Sequence, residues 1–203
     1  MFARPRSPRP RGASGVALLA ALFVLLAVSL LAVGIARIAF DGELSARAAR
    51  DRQLALQVAE AALVDAERDI EGGANRASLR AAMFRQDGSS GFVAGCGREA
   101  HNLGLCAWIP GTTPAWKTVE AAASVPYGSY TGVAFPASPA GGPLPLAPPR
   151  YVIERLPAVV AGEDAGVQQR LFRVTAFAVG ARAGTQVVLQ SVYRSNSTVA
   201  GAP

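Results

Sequence analysis

The chain has 203 residues, which is enough for one domain with a sizeable core and an additional segment, but too few for two ordinary domains. Hydrophobic residues make up 51% and charged residues 17%, and the formal net charge is +6. This charge does not indicate a nucleic-acid partner, because four arginines are crowded into the first twelve residues instead of forming a patch on the folded part.

Residues 13–36 form the most apolar segment and contain no charged side chain. The segment is longer than the roughly 20 residues that a helix needs to cross a bilayer, so it predicts a transmembrane helix and a membrane as partner. It is too long for a secretory signal and lacks a small-residue cleavage site behind it. The basic residues before it are Arg4, Arg6, Arg9 and Arg11. They predict a single-pass inner-membrane protein with its N-terminus in the cytoplasm and its remaining part outside.

A glycine marks the junction between the basic residues and the apolar helix. It is either Gly12, followed by Ala13, or Gly15, followed by Val16, so the leader spans residues 1–12 or 1–15. This arrangement resembles a prepilin leader. The resemblance implies that a prepilin peptidase cuts after the glycine on the cytoplasmic side and that the new amine is methylated. The alternative is an ordinary signal anchor with a chance glycine.

Helical character continues through residues 37–72, beyond what a bilayer needs. Apolar residues recur at spacings of three and four and predict one packing face on an amphipathic helix. This face comprises Leu56, Ala59, Leu63, Ala66 and Ile70. Glu43 and Arg47 form a favourable i,i+4 pair, Asp41-Gly42 is a weak point, and Gly72-Gly73 predicts the helix end.

Residues 50–63 (RDRQLALQVAEAAL) resemble the stretch that follows the anchor in PilX-type minor pilins. The resemblance implies a helix whose first half lies in the filament core and whose second half packs a globular domain. It also implies partners: other minor pilins, the major pilin, prepilin peptidase and the inner-membrane assembly platform, with a tip adhesin as a further candidate. The protein would move from the inner membrane into a pilus at the cell surface.

The resemblance also draws attention to a missing residue. Major pilins carry a glutamate five residues after the cut, where it neutralises the terminal amine of a neighbouring subunit. This chain has Ala17 or Ala20 there, depending on the cut. A carboxylate in an apolar environment is costly unless paired, so its absence removes an attraction and favours a place at the filament tip over one along the shaft. The K-type pseudopilins of type II secretion share this absence.

Residues 73–203 are expected to form the extracytoplasmic domain. Cys96 and Cys106 predict a disulfide in an oxidising compartment. A zinc site with His101 would lack a fourth ligand, so no metal is expected. A catalytic Cys–His pair would need the thiol that the bridge removes.

Residues 121–150 are rich in proline and predict a long extended loop. Tyr127 and Tyr130 within it serve either as a contact surface or as pegs into the core. Strand-like segments follow at residues 151–156, 170–179 and 186–193, and residues 180–185 predict the turn of a hairpin. Together with the long helix, they predict an α+β fold in which an antiparallel sheet packs against the helix.

No catalytic motif is recognisable, so neither an enzyme nor a cofactor is expected. Four carboxylates lie close together in the sequence, and we expect them to face solvent as part of a polar helix surface. They are Asp65, Glu67, Asp69 and Glu71. The interpretations that remain are a minor pilin, a related pseudopilin and a signal-anchored periplasmic binding domain unrelated to filaments.

Overall fold

The computed structural model describes residues 14–86, 90–118, 121–135, 144–157 and 170–195. The predicted leader of residues 1–12, with Gly12 and Ala13, lies outside the described residues. The chain divides after Ala48 into two compact units, which are considered separately.

The longest element is helix α1, Ser14–Ile70. It is helical throughout, so the weak point expected at Asp41-Gly42 does not interrupt it. The predicted pair is present, with Arg47 Nε 2.8 Å from a carboxylate oxygen of Glu43. Both side chains are exposed, so the pair contributes little to stability.

The predicted end of α1 at Gly72-Gly73 is confirmed. The φ angles of these glycines are 113° and 56°, in the region that residues with a Cβ rarely adopt. The Gly73 amide donates to the Arg68 carbonyl at 2.9 Å, which closes the last turn. A Cβ at Gly73 would collide with the Tyr130 carbonyl oxygen. The glycine therefore permits a sharp exit from the helix and a close approach of the chain near Tyr130.

The second unit consists of the C-terminal part of α1, short helices and one sheet. The elements that follow α1 are α2 Leu79–Arg85, β1 Leu105–Ala107, α3 Ala115–Thr118, β2 Val125–Pro126, β3 Arg150–Leu156, β4 Arg170–Val179 and β5 Gln186–Ser195, with a 3₁₀ turn at Ala121–Ala123. The predicted α+β fold is confirmed, as is the β4–β5 hairpin. The strand order is β1-β3-β4-β5, and β2 also pairs with β3.

The sheet differs from the prediction in one respect. It is antiparallel except at β1, which runs parallel to β3 and pairs Leu105 with Ile153. Strand β1 has only three residues and follows an irregular segment, so it has no alternating pattern of its own to reveal it. It forms because β3 offers an edge to which it can bond.

Apolar side chains fill both faces of the sheet. One face packs on α1 in two clusters, of which the larger contains Ala66, Ile70, Phe84, Phe92, Leu105, Val125, Tyr151, Ile153, Phe172 and Val174. The smaller joins Ala55, Val58 and Ala59 of α1 to Ala178 and Val187. On the other face, called the outer face, a third cluster contains Cys96, Cys106, Ala115, Ala123 and Val152. This cluster covers β1 and β3 with irregular chain.

The prediction of one long loop at residues 121–150 is wrong in its first part. Strand β2 pairs with β3 there, and a turn follows over residues 127–131. Tyr130 packs against the larger core cluster, and Tyr127 makes an edge contact with Phe135 at 5.5 Å between ring centroids. The side chains of both tyrosines therefore pack into the fold, as the second of the two alternatives predicted. Residues 136–143 lie outside the described residues.

The predicted disulfide is present between Cys96 and Cys106. Cys106 lies in β1 and is completely buried, so the bridge ties the preceding loop to the sheet. Neither thiol is available to a metal or as a nucleophile. His101 lies at the surface, where its Nε2 is 3.3 Å from a carboxylate oxygen of Glu99.

We expect that reduction of the Cys96–Cys106 bond loosens residues 90–118 and leaves the helix folded. Opening a loop of this size removes roughly 3 kcal/mol of stabilisation by the chain-entropy relation. Hydrogen exchange should show faster exchange over β1 and its preceding loop, and unchanged protection over residues 49–70. Free-thiol labelling of both cysteines in the native, unreduced protein would contradict the bond itself.

Candidate functional site

The described residues contain no group of three or more His, Cys, Asp or Glu side chains placed to hold a metal ion. The chemistry-bearing residues are instead spread along α1. Its first part is apolar and exposed, and its second part carries carboxylates that contact the domain. Each part is described by itself as a candidate functional region.

The first part of α1 belongs to the N-terminal unit and has the length and composition to cross a membrane. Large apolar side chains project from every side of the helix and remain exposed, from Val16 through Phe40. The hydroxyl of Ser29 donates to the Leu25 carbonyl at 2.8 Å, so this polar group is satisfied within the helix. Ala17 and Ala20 are exposed on this part, and Gly15 and Val16 lie in its first turn.

The packing face of the second part is centred on alanine. Ala59, Ala66 and Ile70 of the predicted face are buried, whereas Leu56 and Leu63 are half-buried at its margins. Sequence reasoning missed Ala55 and Ala62, which are completely buried. Alanines spaced by three and four residues form a smooth ridge that lets the sheet approach the helix closely.

The expectation that the carboxylates face solvent is wrong. Asp65 and Asp69 are only 1% and 2% exposed, and Glu67 and Glu71 are half-buried. The helical repeat explains why. Asp51 and Asp69 are separated by about five full turns, so they lie at one angle, within the alanine ridge, and Asp65 lies beside them. A helical wheel that included the alanines would have found these aspartates.

Asp69 forms the most connected of these contacts, a bidentate ion pair with Arg80 of α2. Arg80 Nη2 is 2.7 Å from Oδ2, and Nε is 2.8 Å from Oδ1. The Tyr151 hydroxyl of β3 donates to the same carboxylate at 3.0 Å. Both members of the ion pair are buried. Charge-assisted, bidentate hydrogen bonds of this kind are among the strongest that proteins make.

Arg80 uses its remaining groups to reach two further segments. Its Nη1 donates to the Leu103 carbonyl in the disulfide loop at 2.8 Å. Its guanidinium carbon lies 3.7 Å from the centroid of the Tyr130 ring, a cation–π contact. The Tyr130 hydroxyl donates to the Ala100 carbonyl at 2.5 Å, so the same loop is held twice.

Burial and charge act in opposite directions on this cluster. Burial raises the pKa of the Asp69 carboxyl, and the Arg80 guanidinium opposes that rise. Burial also disfavours the charged guanidinium, but Asp69 more than offsets this, so the pKa of Arg80 is raised. Burial raises the pKa of Tyr151 well above its usual value, which keeps its hydroxyl a donor. The charges persist because each partner compensates for the desolvation of the other.

Asp51 holds the turn of the β4–β5 hairpin. Its carboxylate accepts hydrogen bonds from the Ala181 amide and the Thr185 hydroxyl, each at 2.5 Å. The hydrogen bond from Thr185 is the main cause that lowers the pKa of Asp51, although burial acts in the opposite direction. A Cβ at Gly180 would collide with the Asp51 carboxylate, so the turn requires glycine there.

Two more carboxylates hold other segments. Asp65 accepts a hydrogen bond from the Gly128 amide at 2.7 Å and another from the Thr131 hydroxyl, which fixes the turn after β2. Glu71 accepts from the Tyr193 hydroxyl at 3.0 Å and from Ser195 at 3.1 Å, at the end of β5. Partial burial and the Glu71 carboxylate raise the pKa of Tyr193 to about 12. Each carboxylate therefore attaches a different segment to the helix.

The family model described as Type IV pilus assembly protein PilX C-term matches residues 77–195, more than half of the chain. The matched region runs from the residue before the N-cap of α2 to the end of β5. Neither the search of curated proteins nor the search of solved structures returned a match.

We expect that replacing Arg80 with methionine destabilises the domain by about 3–5 kcal/mol, because it leaves the Asp69 carboxylate buried without its cation. Arg47→Met is the matched control, since it breaks the exposed pair with Glu43 and should cost at most about 0.5 kcal/mol. Urea unfolding of the full chain in detergent, followed by tryptophan fluorescence, measures both.

The double variant Asp69→Met with Arg80→Met removes both charges and should recover part of the stability lost in the single variant. Equal losses for Arg80→Met and Arg47→Met would contradict the central role of the buried pair. The same role would be contradicted if the double variant lost as much stability as Asp69→Met alone and Arg80→Met alone added together.

Proposed function

Because the chain belongs to the PilX family of type IV pilus assembly proteins, we propose that it is a minor pilin that primes pilus assembly and remains at the filament tip. The observation that carries this proposal is the absence of a carboxylate from the first part of α1, where Ala17 or Ala20 occupies the fifth position after the two candidate cuts. The carboxylates of this helix begin at Asp41.

The energetic argument concerns two buried charges. A terminal amine inside a bundle of apolar helices is costly, and a carboxylate on the neighbouring helix compensates for it. A subunit without this carboxylate cannot compensate for the amine of its neighbour, so adding it beneath existing subunits is unfavourable. As the first subunit, it has no earlier subunit whose terminal amine it would have to neutralise. Priming followed by residence at the tip is the place in a filament that this helix fits best.

The same proposal assigns location and partners. The arginine-rich leader keeps the N-terminus in the cytoplasm, and α1 anchors the protein in the inner membrane before it enters the pilus. Prepilin peptidase processes it, and the inner-membrane platform, other minor pilins and the major pilin assemble with it. A tip adhesin is a further partner in this scheme. The family description and the exposed apolar helix support the membrane-anchored part of the scheme.

The leader supplies one test. We expect cleavage after Gly12 or Gly15, so that the mature protein starts at Ala13 or Val16 with a methylated amine. Intact-mass measurement of protein extracted from membranes should show this, and a strain without prepilin peptidase should retain the leader. Gly12→Val and Gly15→Val decide between the sites, because only one of them should block processing. Intact leader on the mature wild-type protein would contradict the assignment.

Filament position supplies the other test. We expect immunogold labelling at one end of each filament, and gene deletion should lower the number of pili more than their length. Ala17→Glu or Ala20→Glu, chosen to match the cut, should allow incorporation along the shaft by restoring the missing charge. Glutamine at the same position is the matched control and should leave labelling at the end. Uniform labelling by the unmodified protein would contradict tip residence.

A further inference from the structure

The second part of α1 is attached to the β4–β5 hairpin at both ends of their interface. Asp51 accepts a hydrogen bond from Thr185, just before β5 begins, and Glu71 accepts one from Ser195, where β5 ends. The helix rises by about 30 Å from residue 51 to residue 71, and an extended strand spans about 33 Å from residue 185 to residue 195. The helix and β5 therefore run side by side in one direction. The two ends of the interface are called the Asp51 end and the Glu71 end.

The Glu71 end is held by several interactions of different kinds. Its core contains Phe84, Phe92 and Phe172, whose ring centroids lie 5.6 to 6.1 Å apart. The buried ion pair between Asp69 and Arg80 attaches α2 to this end as well. Separating the helix from the sheet here would break all of these contacts together. We therefore expect this end to open only when the whole domain unfolds.

The Asp51 end has a smaller core made of small side chains. Its buried members are Ala55, Val58 and Ala59 of α1 and Ala178 and Val187 of the hairpin, and Phe135 packs at the margin. Alanine and valine bury less apolar surface than the phenylalanines of the Glu71 end, so burial stabilises this end less.

The part of the hairpin at the Asp51 end is a two-stranded ribbon. Strand β3 begins at Arg150, which lies opposite Phe177, so β4 and β5 continue beyond β3 over residues 178–187. Beside this ribbon, the described chain contributes the Leu146 amide, which donates to the Gly180 carbonyl at 2.8 Å. An isolated two-stranded ribbon is marginally stable at best. The ribbon therefore depends on its contact with α1.

One side chain of α1 attaches the tip of this ribbon. Asp51 is 8% exposed, and its carboxylate accepts hydrogen bonds from the Ala181 amide and the Thr185 hydroxyl. Hydrogen bonds to a charged group contribute more than those between neutral groups. Without Asp51, the contact between helix and ribbon would depend on the small apolar core alone.

We propose that the Asp51 end is a latch: residues 51–59 of α1 and residues 178–187 of the hairpin separate from each other as one cooperative unit, while the Glu71 end stays folded. Opening releases about 12 Å of helix from the sheet, which lengthens the free part of α1 before the domain. Closure depends on the Asp51 carboxylate. The inference concerns a movement within the C-terminal unit and does not rest on filament position, so its failure would leave the proposed function intact.

Hydrogen exchange of the full chain in detergent micelles tests the latch. In the wild-type protein, we expect the amides of residues 55–59 to exchange at least about tenfold faster than those of residues 66–70. Asp51→Ala should speed exchange over residues 55–59 and 178–187 together by a further factor of about ten or more, because it removes the hydrogen bonds that hold the latch closed. Exchange over residues 66–70 and over β3 should stay unchanged.

Asp41→Ala is the matched control, because it removes an exposed aspartate of the same helix outside the interface and should change none of these rates. Thr185→Val removes one of the hydrogen bonds and should give a smaller increase in the same two segments, which decides the question if Asp51→Ala does not fold. The latch is overturned if residues 55–59 and 66–70 exchange equally fast in the wild-type protein, or if Asp51→Ala behaves like Asp41→Ala. It is also overturned if the helix and hairpin segments respond separately, or if all buried amides of the domain speed up alike.

Discussion

The ion pair between Asp69 and Arg80 joins most segments of the C-terminal domain. Through it, the end of α1 is attached to α2, to β3 by the Tyr151 hydroxyl, to the disulfide loop by the Leu103 carbonyl and to the turn after β2 by the Tyr130 ring. Buried charges are stabilising only when every donor and acceptor is satisfied, so these segments depend on one another. The sharp turn at Gly72-Gly73 follows from the same constraint, because the chain must leave the helix before α2 can bring Arg80 back to Asp69.

The aspartates of α1 fix the alignment of the helix along the sheet, which its alanines alone do not. A ridge of alanines is smooth, and the burial of methyl groups changes little if the helix shifts along the sheet by one turn. Asp51, Asp65 and Asp69 each bind a different segment, at the hairpin turn, the turn after β2 and the start of α2. Only one alignment satisfies all three. Apolar burial therefore provides much of the stabilisation, while the carboxylates select the register, a use of buried polar groups known from other helical interfaces.

Features that depend on local periodicity were predictable, and features that depend on tertiary contact were not. The long helix, its glycine stop, the three main strands and the disulfide follow from patterns in the sequence. The family match to residues 77–195 lies entirely outside the helical segment that first indicated a pilin. Strands β1 and β2 were missed because they form only against β3, and the turn after β2 was missed because its partners lie on α1 and α2. The buried aspartates were predicted to face solvent because they are charged, although their angular position on the helix places them on the face that carries the alanines. Alanine is weakly apolar, so the ridge that surrounds them did not stand out as a packing face.

The distribution of charge along α1 follows the surroundings of each part. Carboxylates are absent from residues 14–36, where an apolar medium would leave them unpaired, and they are present in the second part wherever the domain supplies amides, hydroxyls or a guanidinium. The helix therefore tolerates buried acids when they are compensated. Under the proposed function, the buried aspartates of the second part are compensated within the domain, so the acid missing from the first part is the charge difference that matters between neighbouring subunits.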